Sequence, residues 1–127
     1  MTQSKSFITR DSGARQSYNS GMVRDTQENK PRFDLINPEY LPYTETLLYR
    51  WAMLMERGAV KYGNRNWEKA NSKEELDRFK ASAWRHFIHA MGGDESEDHW
   101  SAICFNINAI ISLQWRLNNE LKEKIGN

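Results

Sequence analysis

Residues 100–117 read WSAICFNINAIISLQWRL. Trp100, Ile103, Cys104, Ile107, Ile110, Ile111, Gln114 and Leu117 follow one another at steps of three and four, the spacing of one helix face and not of a strand. Just upstream, Asp94 has Glu97 three residues on, a capping-box spacing. The pattern predicts a long helix that starts near Asp94 or Ser96. It fades through Asn118, Asn119 and the charged tail 120–124.

The same period recurs toward the N-terminus. Ser72 with Glu75 forms a second capping box, and Leu76, Phe79, Ala83, Phe87 and Met91 make a stripe, so a helix is predicted over 73–91. Gly92 and Gly93 stop it. Leu48, Trp51, Ala52, Met55, Ala59 and Tyr62 make a third stripe over 44–62, with Thr44 as its cap and Gly63 and Asn64 at its end. Residues 64–71 are then a loop. All three prolines, Pro31, Pro38 and Pro42, lie in 23–42, which predicts an ordered but irregular lead-in. Residues 1–22 are rich in Ser, Gly, Thr, Gln and Asn and are expected to be a flexible arm. No convincing strand is visible. The expected fold is all-α: three antiparallel helices packed as a bundle in a single domain over 23–127.

A chain of 127 residues is one domain by length. Its hydrophobic fraction is 39%, and a three-helix chain of this size buries only a modest share of its surface, so a second subunit is expected to cover part of its apolar helix face, in a dimer or tetramer. Net charge is +1, which argues against a nucleic-acid coat. The leading 32 residues are nevertheless basic, with Lys5, Arg10, Arg15, Arg24, Lys30 and Arg32 against Asp11, Asp25 and Glu28. That suits an anionic small ligand. The single cysteine, Cys104, sits among apolar neighbours and reads as a small buried hydrophobe in a reducing compartment. No segment is apolar and long enough to span a bilayer or to act as a secretory leader, so a cytoplasmic protein is expected.

The densest acidic cluster is 94–98, DESED. On a helix, Asp94, Glu97, Asp98 and Ser101 would share a face, and magnesium takes a few carboxylates together with substrate phosphate oxygens. Acids at a helix start also serve the helix dipole, which is the structural alternative. Glu56, beside the stripe of the first helix, offers a second carboxylate arm, or else an exposed partner for Arg57 and Lys61. In 58–69, GAVKYGNRNWEK, cations, amides and aromatics crowd a helix end and a loop. Lys61 and Arg65 could hold phosphates, while Tyr62 and Trp67 could stack on a base. Arg24, Lys30 and Arg32 could clamp a triphosphate. His86 and His99 could serve as metal ligands or proton carriers, but no HxxxH or HxxEH spacing occurs and His86-x-x-His89 is only a weak match, so zinc is not expected. No phosphate loop and no nucleophile–base pair is visible.

Four blocks in order carry a resemblance: RDTQENKPRFD (24–34), MERGAVKYGNRNWEK (55–69), AWRH (83–86) and EDHWSA (97–102). Together they resemble the phage dATP/dGTP diphosphohydrolase family, which looks like a branch of the MazG-like all-α NTP pyrophosphohydrolases. The resemblance covers about residues 20–113. It implies a helical bundle complete only as an oligomer, and magnesium-dependent conversion of a purine dNTP to dNMP and pyrophosphate. It also implies a setting in phage nucleotide metabolism, in an infected host cell's cytoplasm. In phages with 2-aminoadenine DNA, such enzymes resemble the step from dGTP to dGMP. The wider MazG-like pattern pairs E-x-x-E on one helix with E-x-x-D on the next. Here Glu95-x-x-Asp98 matches the second half and Asp94-x-x-Glu97 overlaps it, while Glu56, with His86, stands in for the missing first half.

The resulting expectation has Glu56, Asp94, Glu97 and Asp98 holding magnesium, replaceable by manganese, with Glu56, Glu97 and Asp98 catalytic. Arg24, Lys30, Arg32, Lys61, Arg65 and Arg85 would meet the phosphates. Tyr62 and Trp67 would meet the base or sugar, and Asn64 or Asn106 the base edge. The competing readings are a non-catalytic helical module that docks on a host or phage protein, and a nucleic-acid binder. No stable nucleic-acid complex and no membrane contact is expected.

Overall fold

The structure, a computed structural model, describes residues 8–126. The described residues fall into two units, one up to Ile36 and one from Asn37 onward. Of the arm expected over 1–22, residues 1–7 lie outside the described residues.

The first unit contains two short strands, β1 (Arg15–Ser17) and β2 (Val23–Asp25), paired antiparallel with Arg15 opposite Asp25 and Ser17 opposite Val23. This corrects the expectation of no strand. Neither strand alternates apolar and polar residues, so the usual signal is missing. The hairpin is held by its turn, where Gly21 N–H donates to Tyr18 O at 2.9 Å, and by a cross-strand ion pair, Arg15 to Asp25 at 2.8 Å. Opposite charges facing across a ladder stabilise it modestly.

The second unit is helical, with α1 (Leu47–Tyr62), α2 (Lys73–Met91) and α3 (His99–Gly126). The all-α expectation holds for it, and α2 has the expected bounds. The start of α1 differs. Residues Tyr43–Glu45 form a 3-10 turn, and Thr46, not Thr44, caps the helix by accepting from Tyr49 N–H at 3.2 Å. Thr46 also donates to Tyr43 O, so its hydroxyl joins turn to helix. Gly63, at φ 92°, ends α1 in a conformation that favours glycine. A second 3-10 turn, Asn66–Lys69, lies in the expected loop.

α2 and α3 form the main hairpin. Ala70, Leu76 and Leu113 make its core, with Phe79, Ile110 and Leu117 packed against them. Ser101, Ala102 and Ala109 are buried on α3, and their small side chains let the helices approach closely. Phe105 meets both Trp67 and Phe79 edge to face, at 5.9 and 6.3 Å. Arg116 Nη1 donates to the carbonyls of Glu68 (2.6 Å) and Ala70 (2.8 Å), pinning the 66–69 turn to α3. Much apolar surface stays outside: Trp84, Ile88 and Met91 on α2, and Ile107, Ile111 and Trp115 on α3, are all exposed. Among the described residues no helix is long and apolar enough to cross a membrane.

Candidate functional site

The start of α3 decides where the acids go. The helix begins at His99, later than the expected Asp94 or Ser96, and Asp98 stands at its capping position, its carbonyl accepting from Ala102 N–H at 3.1 Å. The Asp98 carboxylate accepts from Ser101 N–H (3.3 Å) and Ser101 Oγ (2.8 Å). It also takes a two-pronged bond from Arg50 of α1, Nε to Oδ2 at 2.9 Å and Nη2 to Oδ1 at 2.6 Å. Burial alone pushes the Asp98 carboxyl up. The bonds from Arg50 and Ser101 outweigh it, and the net shift is downward. Asp94 is in the preceding turn, where it accepts from Ser96 Oγ at 2.8 Å. Asp94, Glu97 and Asp98 therefore do not share a helix face, because 94–98 is not helical.

Glu97 borders a groove of about 720 Å3 between α1, the 66–69 turn, α2 and α3. Ligand pockets commonly have volumes of this order. Of the residues singled out in the sequence, Lys61, Tyr62, Arg65 and Trp67 line the groove with Glu97. The structure adds Arg57, Lys69 and Arg78, to none of which the sequence assigned a phosphate contact. Among the described residues no carboxylate pairs with Arg57, Lys61, Lys69 or Arg78, whereas Arg65 is bonded to Glu68 at 2.7 Å. Lys61 Nζ sits 5.0 Å from the centre of the Tyr62 ring. The arrangement offers an anion several unpaired cations beside two aromatic faces.

The remaining expected residues lie elsewhere. Glu56 is exposed on α1 and does not line the groove. Asn64 and Arg85 are exposed and also outside it, with Arg85 near Ser82 of its own turn at 3.4 Å. Asn106 is buried, and its amide donates to Ala102 O (2.8 Å) and Ser82 Oγ (3.3 Å), so it ties α3 to α2. Arg24, Lys30 and Arg32 belong to the first unit, where Arg32 is paired with Asp34 at 2.8 Å. Cys104 is half-buried, and burial raises its thiol pKa, in keeping with packing.

The chain's three histidines meet at the junction of α2 and α3. His86 Nδ1 lies 2.8 Å from His99 Nδ1, and His99 Nε2 lies 2.5 Å from Asp94 Oδ2. His89 stacks on His99 with ring centres 5.2 Å apart. The bond from His99, then that from Ser96, holds the Asp94 carboxyl at about 2. Donor atoms of His86, Glu97 and His99 all lie within 4.8 Å of one another, as do those of His89, Asp94 and His99. Neither such group among the described residues includes Glu56 or Asp98. One signal for this convergence was present in the sequence. His86 is six residues before Gly92 and His99 six after Gly93, so a hairpin turning at the glycines brings them level.

A family model described as dATP/dGTP diphosphohydrolase, N-terminal, matches residues 20–124, and the chain belongs to that family. Comparison with curated proteins and with solved structures gave no match.

Proposed function

We propose that this member of the dATP/dGTP diphosphohydrolase family hydrolyses a purine deoxynucleoside triphosphate, dGTP or dATP, to the monophosphate and pyrophosphate with magnesium. The observation that carries the reading is the groove, where Arg57, Lys61, Lys69 and Arg78, unpaired with any acid among the described residues, stand beside Tyr62 and Trp67. A triphosphate brings about four negative charges, and fixed cations neutralise such charge without reorganising as the reaction proceeds. Water attacks the α-phosphorus, the bond to the α–β bridging oxygen breaks, and pyrophosphate leaves. Arg57, Lys61, Arg65, Lys69 and Arg78 offset charge on the leaving group, while Tyr62 and Trp67 give the base a face to stack on.

Magnesium needs only one or two carboxylates when substrate phosphates supply the other oxygens. Glu97, on the groove wall, fits that role. The ion would screen the phosphates and favour attack by water. The larger set of Glu56, Asp94, Glu97 and Asp98 does not assemble within one chain, since Asp98 is held by Arg50 and Ser101 and Glu56 lies outside the groove. The exposed apolar stripes on α2 and α3 support a homo-oligomer as the working form.

The test is pyrophosphate release from each of the four dNTPs, with and without magnesium. The expected result is magnesium-dependent release from dGTP, dATP or both. In Lys61→Ala, kcat/KM falls about tenfold, the loss of one charge-assisted contact. No release from any dNTP, or unchanged kinetics in Lys61→Ala and Arg78→Ala together, would remove the proposal.

A further inference from the structure

We propose that His86, His99 and Glu97 form a three-donor site for a first-row transition-metal dication, set at the α2–α3 junction on the border of the groove. All three donors lie within 4.8 Å of one another. The two Nδ1 atoms are 2.8 Å apart, and adjacent donors around an ion at about 2.1 Å stand roughly 3 Å apart, so a few tenths of an ångström of opening admits one. Two imidazoles and a carboxylate suit manganese, iron, cobalt or zinc, whereas magnesium prefers oxygen alone.

Proton placement selects this group over the one with His89 and Asp94. His99 Nε2 lies 2.5 Å from an Asp94 oxygen, the separation of an N–H···O bond, so this bond occupies Nε2 and places the ring proton there. Its Nδ1 lone pair then faces His86 Nδ1. Carboxylate–histidine pairs of this kind orient imidazoles toward metals and raise their basicity. Without an ion, His86 places its own proton between the two Nδ1 atoms. With one, His86 carries that proton on Nε2 and the ion takes the vacated position, with no net change in protons. His99 is 3% exposed, so the Nδ1 lone pair is fixed in direction. Glu97 is exposed, which leaves the ion open to solvent and to a groove ligand.

The site shares Glu97 with the function proposed above, yet its test needs no nucleotide. Cobalt(II) is titrated into the metal-stripped full chain and followed by visible absorption and equilibrium dialysis, then competed with zinc and with magnesium. The expected result is one equivalent bound per chain, displaced by zinc and not by a hundredfold excess of magnesium. Affinity drops at least tenfold in His86→Gln and in Glu97→Gln, whose side chains are not fully buried. In Asp94→Asn it drops 10- to 100-fold, the usual effect of losing a ligand's outer partner. In His89→Gln it stays within threefold. Far-UV circular dichroism confirms that each variant keeps its helices. Absence of saturable binding overturns the proposal, as does unchanged affinity in both His86→Gln and Glu97→Gln, or a large loss in His89→Gln. A chain that binds cobalt in this manner but hydrolyses no dNTP supports the site and sinks the function. One that hydrolyses dGTP yet binds no cobalt overturns the site alone.

Discussion

Replacing Asp98 with Asn tests whether this residue is chiefly a structural anchor. Its carboxylate accepts four bonds, two from Arg50 and two from Ser101. Asn is a good helix cap and keeps one side-chain oxygen, so the variant loses mainly the charge and one prong to Arg50. Bonds to ionised groups contribute about 1.5–3 kcal/mol when shielded. The Arg50 side chain is 38% exposed, which brings the pair down to about 1 kcal/mol. Asp98→Ala loses the cap as well and should cost about 2 kcal/mol in all. The assay is urea unfolding at matched protein concentration, since assembly shifts apparent stability. A double-mutant cycle with Arg50→Met should give a coupling of about 1 kcal/mol. Coupling below about 0.3 kcal/mol, with turnover abolished at an unchanged midpoint, would refute the anchoring argument and return Asp98 to the chemistry.

Acid should erase the same contribution. The folded carboxyl of Asp98 titrates below its ordinary value of 3.8, so its stabilisation is present above that value and lost as pH falls beneath it. The stability gap between wild type and Asp98→Asn, measured by urea midpoints, should close below pH 3.8. Arg116→Met removes two donors from the carbonyls of Glu68 and Ala70, and should cost about 1–3 kcal/mol with faster amide exchange in residues 66–70. Analytical ultracentrifugation should find dimers or larger species at micromolar concentration, and Ile111→Lys with Trp115→Glu should yield monomers; a monomeric wild type would remove the oligomer.

The helices were legible because each buries a stripe with a clear period, and α2 was legible to the residue because Ser72 with Glu75 and Gly92 bracket it unambiguously. The start of α3 was not. Asp94 and Asp98 both suit a cap, and the choice is made by Arg50, 48 positions away, which no local pattern reveals. Asn106 shows the same limit. An amide in a sequence can read a base or join two helices, and only burial beside Ser82 distinguishes them. Lys61, Arg65, Tyr62 and Trp67 were legible as a group because a helix end and a tight turn keep sequence neighbours together in space. Arg57 and Arg78 come from separate helices, so their convergence on the same groove depends on packing. The pairing of His86 with His99 was not legible, because metal motifs are recognised within one segment, whereas these two face each other across a turn.

Arg65 has a φ of 61°, a left-handed conformation that costs a residue with a side chain about 1 kcal/mol relative to glycine. The bend that sends the chain into the 66–69 turn is thus assigned to a bulky cation where the backbone alone would favour none. A glycine there would tighten the fold and thin the positive field of the groove in one step. On the proposed function, thermal tolerance and phosphate affinity pull against each other at this single position, and a selection for heat resistance alone would drift toward a sturdier chain with a less positive groove.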